Sequence, residues 1–364
     1  MPIIQQLIDR KAREPRERQF NTPLALILTP GRELAEQIGK VAEDLVEGLG
    51  MNVKVVVGGS TKQKMLNPKF EDIDILVGSL GAISKLTTTG IYRMNDVKHV
   101  VLDEADTLLD DGFNGQLCYY LHRFKFHADV QLVLASATMP QNTEEVFRDI
   151  IDTDTLTKVV SDDLHKILPY IPQKFIRMNK SGRPETLLRI VRSEMSKKRP
   201  VIIFSNKSAT SDYVSIFLNE NGIDCLNLNG DMLQKIREGR FEKFQKGEVN
   251  VLSTTDCIGR GLNTIRARHI VNFEFPMHIA DYIHRCGRIG RLGSDKNCYI
   301  TNFISSAHEL DLVRKIEKSA RTNHTLEDVN ANIRKIIQDK IESEMQRNEN
   351  MEIHKIADSM KKQK

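Results

Sequence analysis

Short apolar runs recur along the chain with room for one amphipathic helix between each pair, and the series is written twice. The first series is LALILTP, NVKVVVGG, DIDILVGS, VVLDEAD, QLVLASAT and TLTKVVS, and the second is KFIRMN, PVIIFSN, DCLNLNG, VNVLSTTD, HIVNFEF and CYITNFI. Runs of this kind fit strands buried on both faces of parallel sheets. The pattern therefore predicts an α/β fold with two similar wound domains in tandem. The expected boundaries are 1–160 and 172–325, joined by a linker over 161–171 within the proline-bearing stretch SDDLHKILPYIPQKF. From Leu326 onward no further strand is expected, and 326–364 reads as a charged helical or disordered tail.

A chain of 364 residues is too long for one ordinary domain. Its 40% hydrophobic and 28% charged content, without tryptophan, is that of a soluble globular protein. A net charge of +4 is compatible with a polyanionic partner without demanding one. Cys118, Cys225, Cys257, Cys286 and Cys298 are scattered and form no C-x-x-C pair. Neither a zinc site nor a disulfide framework is suggested, and a reducing compartment is expected. No apolar run approaches the roughly 18 residues of a membrane span, and the opening residues carry no signal-peptide pattern.

The stretch HVVLDEADTLLDD delivers Asp103, Glu104 and Asp106 to the end of a greasy strand. Ligands of open parallel sheets bind beyond the carboxyl ends of the strands, and Ser136, Ala137 and Thr138 sit at another such end. Carboxylates there suit Mg²⁺, a hard cation that prefers oxygen ligands and keeps its waters. A second acid beside it can orient or deprotonate a water attacking a phosphate. The plainer alternative is a strand meeting a solvated turn. A third cluster is HRCGRIGR: on a helix, His284, Arg288 and Arg291 stand at i, i+4 and i+7 and share one face, while Arg285 points elsewhere and must serve a different contact. Guanidinium forks suit phosphate oxygens. Gly287 and Gly290 make a solvated surface helix a poor explanation.

Seven blocks, PGRELAEQ, GG (Gly58 and Gly59), DEAD, SAT, Q-x-x-R (Gln234 and Arg237), TTDCIGRGLN and HRCGRIGR, resemble the DEAD-box RNA helicases in order and spacing over about residues 22–310. The resemblance implies two RecA-like domains that close around ATP–Mg²⁺ and single-stranded RNA. It implies Asp103 on the Mg²⁺ side, Glu104 as activator of the attacking water, and Asp106 as the link to the second domain. Ser136 and Thr138 match the motif coupling hydrolysis to strand separation. Asp256 matches a ribose contact, Arg288 and Arg291 match the arginines that reach the terminal phosphate, and His284 bridges the domains. Arg32, Gly58, Gly59, Ser79, Gly81, Gln234, Arg237 and Thr255 fall where the family holds the RNA backbone, by contacts that carry no sequence code. Phe204 matches a second-domain motif, although an aromatic at a strand end is more often core.

The chain also departs from the family pattern. Gly31 stands in place of a threonine, Ala82 in place of an arginine and Asn263 in place of an aspartate. Ala82 implies a weaker RNA grip in the first domain, to be tightened by Ala82→Arg. Nothing matches G-x-x-x-x-G-K-[ST], the phosphate-cradling loop, nor the family's adenine-recognising glutamine segment. The opening MPIIQQLIDRKAREP reads as an amphipathic helix entered part-way, without a capping residue. The expectation is an N-terminally truncated chain whose first sheet lacks a strand, leaving a gap and an unpaired edge, and whose catalysis is impaired.

The function expected is therefore an ATP-dependent RNA helicase that opens short duplexes or remodels ribonucleoprotein. The competing reading is a nucleotide-independent RNA-binding scaffold with the same fold; a DNA-translocating relative fits the motifs less well. Within the family, LDEADTLLDD, DDLHKILPYIPQKF and DYIHRCGRIGRLGS most resemble the mitochondrial branch associated with large-ribosomal-subunit assembly. That implies ribosomal precursor particles as partners and a mitochondrial location, with nucleus or cytoplasm as alternatives.

Overall fold

The computed structural model describes residues 1–13, 19–59, 61–109, 114–124, 126, 130–139, 143–162, 164–166, 171–256, 264–290, 297–322, 324–326 and 329. The first domain opens with helix α1 (Pro2–Arg13), whose Ile4 and Leu7 are buried against the sheet, while Lys11 pairs with the buried Asp74 at 2.9 Å. Strands β1 (Ala25–Thr29), β2 (Val53–Val56), β3 (Ile75–Ser79), β4 (His99–Asp103) and β5 (Gln131–Ala135) then alternate with helices α2 (Arg32–Val46), α3 (Thr61–Leu66), α4 (Leu80–Thr88), α5 (Ala105–Leu108) and α6 (Asn114–Leu121), and α7 (Thr143–Phe147) follows β5. All the strands pair in parallel, in the order β2-β3-β1-β4-β5. Alternate residues of β1 feed opposite cores: Leu26 and Leu28 join one cluster under α4 and α6, and Ala25 joins the other under α1 and α2.

The second domain carries β6 (Gln173–Arg177), α8 (Arg183–Ser196), β7 (Val201–Ser205), α9 (Ser208–Glu220), β8 (Cys225–Leu228), α10 (Gln234–Lys246), β9 (Val251–Thr255), β10 (His269–Asn272), α11 (Ile279–Cys286), β11 (Tyr299–Ile304) and α12 (Ala307–Thr322). Its six strands are also all parallel, in the order β6-β11-β10-β7-β9-β8. All five residues of β7 and of β9 are buried, as the unbroken apolar runs require.

Eleven of the twelve apolar runs form strands. The exception is TLTKVVS, which holds only a short 3₁₀ turn at Thr153–Thr155, with Val159 and Val160 left 95% and 58% exposed. A β-propensity run becomes a strand only beside a partner, and none reaches this one among the described residues. The first sheet has no internal gap. Both terminal strands, β2 and β5, pair with no further strand among the described residues, and at β5 Leu132, Val133 and Leu134 are half-buried. The linker and tail are described only in part. Within them, the Leu326 amide donates to the His165 carbonyl, which ties the linker to the end of the second domain. No described helix is long and apolar enough to cross a membrane.

Candidate functional site

Strand order sorts the expected residues. Arg32, Gly58, Gly59, Ser79 and Gly81 follow the neighbouring strands β1, β2 and β3, on one half of the sheet's carboxyl edge. Asp103, Glu104, Ser136 and Thr138 follow β4 and β5 on the other half. On the first half, Arg32 lies over Gly58, where an added methyl would sit 2.9 Å from its guanidinium. Gly59 has φ +93°, a conformation that glycine alone adopts easily. Ser79, 8% exposed, and Gly81 lead into α4. Ala82, by contrast, is 3% exposed and belongs to the core beneath α4. An arginine there enters the core rather than a groove, so Ala82→Arg cannot report on RNA grip.

On the other half the chain turns sharply out of β4. Glu104 has φ +49°, a left-handed geometry that costs a non-glycine residue about 1–3 kcal/mol. The turn separates the acids. Asp103 accepts a hydrogen bond from the Glu104 amide at 3.0 Å, and burial raises its carboxyl above the usual range. Burial raises Glu104 as well, with the nearby charges of His284 and Arg288 opposing it and those of Asp106 and Asp103 reinforcing it. Asp106 is fully buried. Its burial alone would raise the carboxyl, but the hydrogen bond and charge of His284 and the bonds from Thr138 and Ser136 hold it well below the usual carboxylate range. The Thr138 hydroxyl donates to Asp106 Oδ2, and the Asp106 amide donates to Ser136 Oγ at 3.4 Å. The site is joined to the linker by the Met139 amide, which donates to His165 Nε2 at 3.0 Å.

The second domain meets this cluster through α11. His284 Nε2 lies 2.7 Å from Asp106 Oδ2, so Thr138 and His284 share one carboxylate oxygen across the domain boundary. The helix stops at Cys286, so Arg288 does not continue a helical face with His284. Gly287 caps the helix and Gly290 takes φ +68°, and a turn replaces the helical continuation. Arg288 instead folds back, its Nε donating to the His284 carbonyl at 3.1 Å. Arg291 and Asn263 lie outside the described residues.

Arg285, set aside in the sequence as pointing elsewhere, is buried at 1% exposure. Its five N–H groups all find acceptors: both Asp256 oxygens at 2.6 Å, Asn272 Oδ1 at 3.0 Å, the Glu274 carbonyl at 2.8 Å and Asn206 Oδ1 at 2.7 Å. The guanidinium also lies 5.2 Å from the centre of the Phe204 ring, which is a core residue. Arg285 thus ties the ends of β7, β9 and β10 together and orients Asp256. The only sequence signal for this role was its offset from the other basic residues.

Two expected RNA contacts take different positions. Arg237, 7% exposed, pairs with Glu33 of the first domain at 2.7 Å, a second bridge between domains, and donates to the Gly230 carbonyl at 3.4 Å, while its Nε has no hydrogen-bond partner among the described residues. Thr255 is buried at the end of β9; Gln234 begins α10. Glu33 was missed because a carboxylate on a helix's first turn is ordinary in any sequence.

No group of three or more potential metal ligands occurs among the described residues. The carboxylate of Asp103, an oxygen donor, nevertheless fits a hard cation bound largely through its waters. Asp103 would hold Mg²⁺, which when bound neutralises phosphate charge.

The DEAD/DEAH box helicase family model matches residues 1–146, and the helicase conserved C-terminal domain matches 182–293. The chain is 33% identical over 344 residues to the Probable ATP-dependent RNA helicase DDX28 of Mus musculus, covering 90% of this chain and 63% of that protein. It is 31% identical over 344 residues to the Homo sapiens DDX28, with the same coverage. To the ATP-dependent RNA helicase RhlB of Shewanella halifaxensis it is 32% identical over 279 residues, covering 77% of this chain and 63% of that one. The chain therefore spans less than two thirds of the length of these relatives. Among solved structures, Mss116p bound to single-stranded RNA and AMP-PNP superposes with a TM-score of 0.75 at 24% identity, covering 89% of this chain and 66% of that one. Dbp5 of S. cerevisiae bound to RNA and ADP BeF3 gives 0.73 at 24% identity, covering 84% and 77%. At that identity the likeness is one of fold.

Proposed function

The chain belongs to the DEAD/DEAH box helicase family, and on that premise we propose that it is an ATP-dependent RNA helicase that couples nucleotide hydrolysis to local strand separation or ribonucleoprotein remodelling. The observation that carries this reading is the shared oxygen of Asp106, which Thr138 and His284 reach from different domains. A scaffold that only binds RNA has no physical need for a buried carboxylate built to register domain closure.

In this reading, Glu104 takes the proton of a water attacking the terminal phosphate of ATP, and its raised affinity for protons suits a base of that kind. Arg288, close enough for its charge to act on Glu104, meets the charge developing on the phosphate. Arg291 is assigned the same role by its motif. Asp103 holds the Mg²⁺ side, and Asp256, oriented by Arg285, takes the ribose. Arg32, Gly58, Gly59, Ser79, Gly81, Gln234 and Thr255 line the RNA path. Arg237 supports that path indirectly, through Glu33.

The 364 residues contain no G-x-x-x-x-G-K-[ST] segment. We therefore expect these residues on their own to turn ATP over weakly. The resemblance of the LDEADTLLDD and DYIHRCGRIGRLGS blocks supports a mitochondrial location and ribosomal precursor particles as partners. Imaging of a tagged full-length protein outside mitochondria would overturn that assignment.

The deciding experiment is RNA-stimulated, Mg²⁺-dependent ATP hydrolysis by this chain, with Glu104→Gln as control. RNA-dependent turnover lost in the control supports the helicase reading. RNA binding that is indifferent to ATP, Mg²⁺ and Glu104→Gln supports the scaffold instead.

A further inference from the structure

Beside the expected RNA path, helices α3 and α4 flank a cleft of about 470 Å³. Thr61 and Lys62 line it from α3, while Ser84, Lys85, Thr88 and Thr89 line it from α4, with Met65 as its apolar flank. Three properties set it apart from an ordinary surface crease. No carboxylate lines it. Lys62, Lys85, Thr61 and Ser84 have no side-chain hydrogen bond or ion pair among the described residues, whereas Lys11, Lys54, Lys158 and Lys246 are each paired with an acid. A further cation stands at the rim, where Arg123 donates to Thr88 Oγ1 at 3.3 Å.

Position supplies the next link. Thr61 follows Gly59 by two residues, and α4 begins directly after Ser79, so both walls are continuations of segments already placed on the RNA path. Free ammonium and hydroxyl donors with no competing acid suit phosphodiester oxygens. Lysine, unlike arginine, acts as a mobile point charge that tolerates a flexible backbone.

We propose that the α3–α4 cleft is an additional RNA-backbone subsite, which takes a phosphodiester of single-stranded RNA extending beyond the motif-lined path, with Lys62 and Lys85 as its cationic contacts. This deepens the helicase reading and rests on it. Because the contact lies off the motif path, it adds affinity only for RNA long enough to reach it.

The test is fluorescence anisotropy of the whole chain with labelled oligouridylates of about 5 and about 15 nucleotides, at several salt concentrations. For Lys62→Ala/Lys85→Ala, affinity for the long RNA is expected to fall about tenfold, with the salt slope reduced by about 0.7, the value for one single-strand phosphate contact. Short-RNA affinity should be unchanged, and Lys62→Arg/Lys85→Arg should restore the long-RNA affinity. Crosslinking through a thiouridine at the outer end of the long RNA should mark the Thr61–Met65 and Ser84–Thr89 peptides. Equal loss on both lengths, no loss on either, or crosslinks elsewhere would overturn the proposal. An acidic protein segment as the occupant would give the no-loss result. No RNA binding by the unsubstituted chain at any length would overturn the helicase reading, and this subsite with it.

Discussion

His284 Nε2 stands 2.7 Å from Asp106 Oδ2, joining residues 178 positions apart and on different domains. The carboxylate also accepts from Thr138 and, through its other oxygen, from the Thr107 amide at 2.8 Å. It is therefore fully engaged only when the domains are together.

Replacing His284 by alanine leaves a buried carboxylate short of one partner, a loss of about 3–5 kcal/mol for a buried pair. The loss falls on closure, because the contact itself crosses the domain boundary. Interdomain energy transfer with ATP and RNA should drop to the open value, with the thermal melts of the domains moving little. Asp106 has a depressed affinity for protons, so its contribution is present above pH 3.8 and lost only as pH falls below that, through its folded value. Closure that weakened near pH 6 in an Asp106-dependent manner would contradict this.

Glu104→Gln is expected to lower ATP turnover by about 10²–10⁴-fold, the range for loss of a general base, with RNA binding retained. Arg288 lowers the Glu104 proton affinity that burial raises. In Arg288→Ala, the Glu104 carboxyl should titrate at higher pH than in the parent, followed by carboxyl-carbon NMR. A shift to lower pH would break the link between these groups.

The Arg237–Glu33 contact separates two roles for one arginine. If Arg237 acts through Glu33, then Arg237→Gln and Glu33→Gln should weaken closure similarly, by about tenfold, and the double substitution should add little. If Arg237 grips phosphate directly, Glu33→Gln should leave RNA affinity intact or tighter.

Acid lability should centre on His269. It is 1% exposed, stacked on Tyr299 and hydrogen-bonded to Thr301, with the buried Glu194 Oε2 3.9 Å from its Nδ1, and burial, reinforced by the charges of Arg199 and Lys197, lowers it to about 3. The folded form stays neutral while the unfolded chain protonates near 6.5. The penalty is thus absent above pH 6.5 and grows by about 1.4 kcal/mol per pH unit below it. His269→Gln should flatten the pH dependence of denaturant midpoints between pH 6.5 and 5. An unchanged slope would show that other groups dominate.

Much of this protein was legible in its sequence because it is locally encoded. Eleven strands could be read from apolar runs, since side chains buried on both faces leave an unbroken pattern. The acids of DEAD and the hydroxyls of SAT were legible as chemistry, because each follows its strand directly. What the tertiary structure alone decided is what each side chain meets. Ala82 faces the core, Arg237 meets a carboxylate from the other domain, and the helix bearing His284 stops at Cys286. TLTKVVS has strand composition and, among the described residues, no strand beside it. Strand order, which separates the RNA-side turns from the acid-bearing ones, likewise has no local signature. The physical reason is common to all of these: periodicity reports how a residue relates to its own element, whereas pairing, burial and closure depend on residues far away in the chain that arrive only on folding.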